Sequence, residues 1–467
     1  MLVGAWTPLE WLVAAEREFL LFAACFFLVG ALDELAMDLV WLWLRLTGRA
    51  RTPTIERATH EGRPLTGPGA LMIPAWREEK VIGTTIAHAL AAWPQRELRV
   101  YVGCYRNDPS TAAAIMSGAG GDSRVRLVVH DRDGPTTKAD CLNRLYDALE
   151  SDEQRAGSLF RMVLLHDAED VVDPAALGLL DAAMDHADFV QLPVLPQPQA
   201  KSPFVGSHYC EEFAEAHGKA LVVRAALGAG LPAAGVGCAF GRQMLGRIAR
   251  DAEGEGPFSV ESLTEDYELG LKIEAAGGRS WFLRARGDDG QLVATRAYFP
   301  ASLDAAVRQK ARWIHGIALQ SWDRLGWSGG GVETWMRLRD RRGPLTALVL
   351  FVAYAVLLIA AGLWAVGLLG HANPWKPDPL LEALLWVNLA SFFWRAAMRF
   401  AFTAREYGVV EGWRALARLP HANVIAILAG RRAFAAYLRT LLGGRVRWDK
   451  TVHNAHPADH LLAEVRA

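Results

Sequence analysis

Three long apolar stretches divide the chain. They span residues 19–44, 344–370 and 379–402, and the second of them carries no charged residue. About 20 apolar residues in helical conformation are enough to cross the hydrocarbon core of a bilayer. The hydrophobic pattern therefore predicts three transmembrane helices, one near the N-terminus and two in the C-terminal half.

Basic residues flank these stretches unevenly. Acidic residues precede the first stretch, whereas a signal peptide begins with a basic segment. Because arginine gathers on the cytoplasmic side of membrane helices, we predict an external N-terminus, with residues 50–340 and the C-terminus cytoplasmic. The flanking arginines are Arg45, Arg49, Arg51 and Arg57 after the first stretch, and Arg337, Arg339, Arg341 and Arg342 before the second.

Two pairs of charged residues interrupt the first and third stretches. Glu34 and Asp38 are four residues apart, as are Arg395 and Arg399, so each pair shares one helix face. Charges at membrane depth are costly and are usually paired. We predict that the two helices pack together through these four residues. The alternative is that the charges only mark helix ends at the membrane interface.

Between the first two apolar stretches, short apolar runs alternate with helical patterns. This alternation predicts an α/β domain with an open sheet, whose ligands bind at the carboxyl ends of the strands. Polar-rich helical patterns after residue 405 predict amphipathic helices on the membrane surface, over 405–420 and 423–442. The predicted strands are Gly69–Pro74, 98–104, Val125–His130 and 161–166, and the predicted helices lie near 78–93, 109–118 and 138–150.

Composition narrows the functional classes. The formal net charge of −1 leaves no basic footprint for nucleic-acid binding. The five cysteines are scattered without a CxxC pair, which is typical of a reducing compartment rather than of a zinc site. The chain also lacks a P-loop and a GxGxxG segment after a strand, so ATPase and dinucleotide-binding functions have no motif here.

An acidic cluster follows the strand predicted at 161–166. Asp167, Glu169 and Asp170 offer carboxylate oxygens, the ligands that suit Mg²⁺ or Mn²⁺, and such an ion can bridge the phosphates of a nucleotide. Which two of the three acids face the metal stays open. The alternative is an acidic turn before a helix that begins near Pro174.

A second acidic motif opens a helix. In Thr264-Glu265-Asp266, the carboxylate of Asp266 can act as a general base for a sugar hydroxyl, which is a weak nucleophile. The alternative is structural: Thr264 caps the helix, and the acids complement the helix dipole.

The third motif combines an amide, a cation and an indole. Gln309, Arg312 and Trp313 share one helix face, where Arg312 can bind a diphosphate and Trp313 can stack on a sugar ring. An amphipathic helix at the membrane surface is the alternative. Lys138, at another helix start, is a further phosphate-binding candidate, and the glycine-rich run 235–242 either closes over an acceptor or forms a strand with a tight turn.

These motifs, in this order, resemble the inverting family 2 glycosyltransferases, the group of the cellulose and hyaluronan synthases. The resemblance implies a GT-A-type mixed sheet, a UDP-sugar donor, and a glycan or lipid-linked acceptor. It assigns catalysis to Asp266 and the metal to the cluster at 167–170. The substrate-binding residues that it implies are Pro74, Glu78, Asn107, Asp108, Lys138, Glu265, Gln309, Arg312 and Trp313.

The resemblance also gives domain bounds. We expect a membrane segment at 1–48, a glycosyltransferase domain at 58–335, two membrane helices within 344–402, and cytoplasmic interface helices with a tail at 403–467. The runs 102–111, 132–143 and 447–453 resemble a bacterial inner-membrane subgroup whose members often carry a C-terminal cyclic-di-GMP-binding domain, which we do not expect within these 467 residues.

Membrane topology bears on the product. Three membrane spans are few for a protein that forms a polysaccharide channel alone. If the chain synthesises an exopolysaccharide, we therefore expect it to form a homo-oligomer or to pass the product to an export partner. The other expectation is non-processive transfer of a sugar to a polyprenyl phosphate. A non-catalytic membrane scaffold or receptor component is the alternative from another class.

Overall fold

A computed structural model of the chain describes residues 7–252, 256–327, 329–369, 375–444 and 456–458. The run 447–453, on which part of the resemblance rests, lies outside the described residues. The strands are β1 Thr54–Ile55, β2 Gly69–Pro74, β3 Leu98–Tyr105, β4 Val125–His130, β5 Met162–Leu165, β6 Phe189–Gln191, β7 Val194–Pro196, β8 Cys238–Gly241, β9 Ser280–Phe282, β10 Arg286–Gly287 and β11 Thr295–Ala297.

Helices surround the sheet and extend from it. They are α1 Pro8–Leu46, α2 Ile82–Ala92, α3 Pro109–Ala119, α4 Lys138–Ala156, α5 Ala176–Ala183, α6 His208–Glu215, α7 Leu221–Ala226, α8 Arg242–Asp251, α9 Glu265–Ala275, α10 Leu303–Trp313, α11 Ser321–Leu325, α12 Gly331–Arg341, α13 Gly343–Leu368, α14 Pro379–Tyr407, α15 Val409–Ala417 and α16 Leu419–Leu441. A 3₁₀ turn covers Arg57–Thr59, and π-helical segments cover Ala216–Ala220 and Ile314–Gln320.

The central sheet has seven strands in the order β4-β3-β2-β5-β8-β6-β9. Strands β2 to β5 are parallel, whereas β8 runs antiparallel to both of its neighbours, so the sheet is mixed. Helices cover both faces: Leu71 and Ile73 of β2 pack into one core, and Ala70 and Met72 pack into the other. Burial on both faces explains why β2 is a continuous apolar run.

The predicted α/β sheet is confirmed. Strands β2 and β4 occupy the predicted residues, while β3 ends one residue later and β5 is shorter than predicted. The antiparallel strand β8 lies in the glycine-rich run 235–242, so the strand interpretation of that run holds. Strands β6 and β9 have three residues each, too few to show a hydrophobic period in the sequence.

Three described helices, α1, α13 and α14, are long and apolar enough to cross a membrane. Helix α1 starts well before the predicted apolar stretch. Thr7 and Glu10 form a capping box there, with Pro8 in the first turn, and these local signals outweigh the polar composition. Helix α14 likewise continues past residue 402, to Tyr407.

A cluster of buried charges joins α1 to α14. Arg395 lies 3.3 Å from a carboxylate oxygen of Glu34 and 3.7 Å from one of Asp38, so the predicted pairing is present for Arg395. The prediction for Arg399 is wrong, because Arg399 lies 3.8 Å from Glu211 on α6 instead.

Lys219, which the sequence did not single out, occupies the centre of this cluster. Its ammonium lies 2.5 Å from Asp38, 2.6 Å from Glu215 and 3.4 Å from Glu34. The π-helical segment that contains it packs closely on both membrane helices: the Trp41 indole donates to the Gly218 carbonyl, and a Cβ at Gly218 would lie 2.7 Å from Phe402.

The two C-terminal helices differ in their surroundings. Helix α15 exposes Val409, Val410 and Trp413, as expected of a membrane-surface helix. Helix α16 instead packs inward. Its Ala429 and Ala433 contact Ala311 of α10, and its Gly430 approaches α13 so closely that a Cβ would lie 2.3 Å from the Cβ of Ala347. Small residues let one side of this helix pack against its neighbours, while Val424, Phe434 and Leu438 are exposed, so the surface position predicted for 423–442 stays a prediction.

We expect Lys219→Met to destabilise the protein by about 3–5 kcal/mol, because three carboxylates would lose their central buried cation. Thermal and denaturant unfolding in detergent measures the change. Lys201→Met, at an exposed loop position, is the control and should unfold like the wild type. Equal stability of the two variants would show that the cluster is not a structural centre.

Candidate active site

Charged side chains from distant segments meet at the carboxyl end of β5. Asp167 follows this strand, and its Oδ1 lies 2.7 Å from the Lys138 ammonium. Lys138 is the first residue of α4, where the Thr137 hydroxyl caps the helix by accepting from the Asp140 amide. The same ammonium lies 4.0 Å from Glu265. Lys138 thus joins the acidic cluster at 167–170 to the second acidic motif.

The loop before α9, which leads into the second motif, is fixed by contacts with a different segment of the chain. The Leu263 amide donates to Gln320, and Thr264 packs against Gly316, where a Cβ would lie 2.5 Å from the threonine hydroxyl. Both partners belong to the π-helical segment after α10. Thr264 occupies the N-cap position of α9, as the structural alternative expects, but its hydroxyl makes no capping bond to this helix.

Asp266 points into the cleft next to a glycine. Its Oδ1 accepts from the Tyr267 amide at 2.7 Å. A Cβ at Gly235 would lie 2.1 Å from its Oδ2, and Gly235 has a left-handed backbone with φ +74°. Only glycine satisfies both demands, so Gly235 leaves the space that the carboxylate fills.

Burial perturbs the proton affinities here. It raises the pKa of Glu265 to about 7, with Asp266 adding to the effect and Lys138 opposing it. Burial also raises the pKa of Asp266 above its ordinary 3.8, again against the opposing effect of Lys138. For Lys138 itself, burial disfavours the ammonium, but the three carboxylates outweigh burial and raise its pKa. Asp266 is therefore a stronger base than an exposed aspartate.

Helix α10 supplies the third motif. Arg312 and Trp313 line the same cleft as Lys138 and Asp266. The buried Oε1 of Gln309 accepts no hydrogen bond from the described residues. The indole of Trp313 packs against an aromatic group, with ring centroids 6.0 Å from Tyr209, 6.2 Å from Phe213 and 6.3 Å from Phe299. This packing fixes the ring while part of it lines the cleft.

The cleft holds about 480 Å³ of empty space, which includes space open to solvent. Its walls come from the start of α4, the loop before α9 with the start of that helix, and the end of α10. The lining residues are Thr137, Lys138, Ser262, Leu263, Thr264, Glu265, Asp266, Arg312 and Trp313.

The acids at 167–170 separate into two roles. Asp167 has 35% of its side chain exposed and contacts Lys138, and Glu169, two residues further on, is half-buried, so both carboxylates keep some access to solvent. Asp170 is turned away: it is 2% exposed, and its Oδ2 accepts from the Asp167 amide at 2.9 Å and lies 2.8 Å from His166 Nδ1. Asp170 shapes the turn, which leaves an oxygen-only donor set of Asp167 and Glu169 that fits Mg²⁺ or Mn²⁺.

Four of the substrate-binding residues that the resemblance implies lie at or after the ends of β2 and β3. Pro74 ends β2 beside Gly103, and Glu78 is buried with its amide donating to Thr111. Asp108 caps α3 and accepts from the Arg77 amide at 2.6 Å. Asn107 exchanges two hydrogen bonds with the Gly134 backbone, at 2.8 and 2.9 Å. These contacts join the loops after β2 and β3, and the substrate-binding role of these residues stays a prediction.

Sequence reasoning missed several residues that position the site. Gly235 and Gly316 act through the space that they leave. Tyr267 donates to Asp340 of α12 at 2.7 Å, and Thr85 of α2 donates to the Ala168 carbonyl. The glycine-rich run 235–242 was the one signal available, because long-range contacts of the others leave no local pattern.

The mixed sheet, with acids and cations at the strand ends, is typical of glycosyltransferases of the GT-A type. Residues 67–316 match the family described as "Glycosyltransferase like family 2", and the chain belongs to that family. The predicted family and enzyme class are thereby confirmed.

Two curated relatives are similar over most of the chain. The bacteriophage adsorption protein B of Escherichia coli (strain K12) and the bacteriophage N4 adsorption protein B of Escherichia coli O157:H7 are each 33% identical across 95% of this chain. The chain covers 63% of the length of each relative. This is the bacterial subgroup that the short runs in the sequence resemble.

Solved structures with low sequence identity are also similar. A mannosyltransferase from Pyrobaculum calidifontis in complex with GDP-Man and Mn²⁺ is 15% identical, with a TM-score of 0.48, over 87% of this chain and 99% of that one. Glucosyl-3-phosphoglycerate synthase from Mycobacterium tuberculosis, with Mn²⁺, UDP and phosphoglyceric acid, is 17% identical, with a TM-score of 0.34, over 60% and 86%.

We expect Gly235→Ala to abolish most glycosyl transfer, because the new methyl group would displace the Asp266 carboxylate. Release of nucleoside diphosphate measures the loss. Gly228→Ala is a matched control: its φ of +70° imposes similar backbone strain, but a Cβ there meets nothing within 4 Å. If both variants lose activity equally, strain rather than the clash with Asp266 is responsible.

Proposed function

We propose that the chain is an inverting, metal-dependent glycosyltransferase that transfers a hexose or N-acetylhexosamine from a UDP-sugar to a growing glycan at the cytoplasmic face of a bacterial inner membrane. The observation that carries this proposal is the cleft itself. Asp266, Lys138, Arg312 and Trp313 come from three separate helices and face one space. A general base, two cations and an aromatic surface in one cleft are what a displacement at an anomeric carbon requires.

The two cations receive the diphosphate. Lys138 stands at the first turn of α4, where the helix N-terminus also favours an anion, and Arg312 enters from α10 on the same cleft. As the bond to the sugar breaks, negative charge grows on the leaving diphosphate, and these cations stabilise that charge. Asp167 keeps Lys138 oriented through their 2.7 Å contact.

Asp167 and Glu169 are the residues that would hold Mg²⁺ or Mn²⁺. A divalent ion bound there supplies Lewis-acid stabilisation of the diphosphate leaving group. Asp170 contributes from behind, since its bond to the Asp167 amide fixes the turn from which both carboxylates project.

Asp266 accepts the proton of the acceptor hydroxyl as the new glycosidic bond forms. Its raised pKa increases the driving force for this transfer, and Gly235 leaves the space that its carboxylate occupies. Trp313 offers its indole to the acceptor sugar, and the aromatic group behind it prevents the ring from turning away. Base and acceptor surface thus lie in the same cleft.

The membrane helices support a lipid-linked or membrane-extruded product. Helix α10, which carries Arg312 and Trp313, packs directly on α16, and α16 packs on the membrane helix α13. An acceptor leaving along Trp313 is therefore close to the membrane part of the protein. Transfer to a polyprenyl phosphate fits the same arrangement, and product length after incubation with UDP-sugars distinguishes one added sugar from a polymer.

We expect Asp266→Asn to lower turnover by about 10²- to 10⁴-fold while UDP binding is retained, because the amide cannot accept the proton. Steady-state UDP release and calorimetric UDP binding measure the two effects. Wild-type turnover should fall at acidic pH, as the raised pKa of Asp266 is crossed and the carboxylate is protonated.

Glu265→Gln is the comparison variant, since Glu265 is the neighbouring buried acid. It should lose less turnover than Asp266→Asn. The reverse order would assign the base to Glu265, and normal turnover in both variants would leave the cleft without a base.

We expect Asp167→Ala to remove the dependence of UDP release on added Mg²⁺ or Mn²⁺, because one of two proposed ligands is lost. Turnover titrated against metal concentration measures this effect. Asp131→Ala, with 80% of its side chain exposed, is the control. Wild-type protein that releases no UDP with any UDP-sugar and metal would favour the scaffold function instead.

A further inference from the structure

Residues 456–458 lie against the glycosyltransferase domain. Helix α16 ends at Leu441, yet His456 and Ala458 are each only 1% exposed. His456 Nε2 lies 3.1 Å from the hydroxyl of Thr85, which is itself 1% exposed on α2. A buried polar contact between residues 371 positions apart indicates a specific docking site rather than a loose tail.

The donor and acceptor of each hydrogen bond between His456, Thr85 and Ala168 follow from the one donor whose role is certain, the backbone amide of Ala458. The Ala458 amide donates to His456 Nδ1 at 3.1 Å, so the ring hydrogen of the neutral imidazole resides on Nε2. That hydrogen is donated to the Thr85 hydroxyl. The single hydroxyl hydrogen is then left for a carbonyl, and the shorter contact is to Ala168 rather than to Val81 at 3.2 Å.

Ala168 lies between Asp167 and Glu169. Its carbonyl lies in the peptide plane that joins Ala168 to Glu169, so a hydrogen bond to this carbonyl fixes the backbone from which Glu169 projects. Asp170 fixes the turn by accepting a hydrogen bond from the Asp167 amide, and Thr85 fixes it by donating one to the Ala168 carbonyl. The turn is thus held at both of these backbone groups by buried side chains, which is how outer partners orient ligands.

We propose that His456 is a positioning residue for the metal site: through Thr85 it holds the Ala168 carbonyl and so orients Glu169 beside Asp167. This inference rests on the proposed function, because it takes those two residues as the ligands. It assigns the C-terminal segment a role in donor binding that neither the family motifs nor the cleft residues indicate. The chemistry concerned is recognition of a divalent cation with a nucleoside diphosphate.

The test uses the full-length protein in detergent, with UDP titrated calorimetrically at fixed Mn²⁺ and again without metal. Thr85→Val keeps the shape but removes the hydroxyl, and it should weaken Mn²⁺-dependent UDP binding by about 10-fold, the lower end for an outer partner of a metal ligand. Thr85→Ser should bind like the wild type. Metal-free UDP binding and the melting temperature should change little in either variant.

His456 is tested in the same way. His456→Ala should weaken Mn²⁺-dependent binding, and His456→Gln, whose amide can still donate, should recover part of the loss. Thr84→Val is the matched control on the neighbouring position of α2 and should behave like the wild type. If Thr85→Val does not fold, the His456 pair decides.

Two outcomes separate the inference from the proposed function. If Mn²⁺ does not strengthen UDP binding in the wild type, or Asp167→Ala leaves that effect intact, the metal site itself is wrong. If Asp167→Ala removes the effect but the Thr85 and His456 variants keep wild-type Mn²⁺ dependence, the metal site stands and the positioning role of His456 is refuted.

Discussion

The buried ammonium of Lys219 is the interaction on which the rest of the structure depends. It lies among Asp38 and Glu34 of a membrane helix and Glu215 of the catalytic domain, with Arg395 of a second membrane helix completing the cluster. Charges removed from water are tolerated only when their partners are in place. Two membrane helices and the domain must therefore dock in one arrangement, or several charges are left unpaired.

Ion pairs and hydrogen bonds connect that cluster to α9, the helix that carries the proposed base Asp266. Arg339 and Arg342 beside the membrane helix α13 pair with Asp33 and Glu34, at distances that include 2.7 Å and 2.8 Å. Between them, Asp340 accepts from Tyr267, the residue after the proposed base, and pairs with Arg224. The orientation of α9 is thereby tied to the apolar helices α1 and α13.

The structure also depends on glycines that allow neighbouring segments to approach closely. Gly235 leaves space for Asp266, Gly316 lets a π-helical segment press on Thr264, and Gly218 lets another reach α14. π-helical segments recur at functional sites because they redirect side chains within a continuous helix. Here one follows the motif that ends at Trp313 and supports the loop before α9, while the other presents Lys219 to the membrane helices.

The sequence by itself determined the elements with strong local signals: the buried strands β2 and β4, the helix starts at Lys138 and Glu265, the three apolar helices, and the residue types of the three motifs. Their hydrophobic periods, caps and residue chemistry are local properties. Tertiary structure alone decided that Asp170 turns to His166, that Lys219 displaces Arg399 from the predicted pairing, and that Arg339 and Arg342, read as topology signals, also bind acids on α1. Such choices depend on which groups share a buried space, and competition for a buried partner is not visible in a linear pattern.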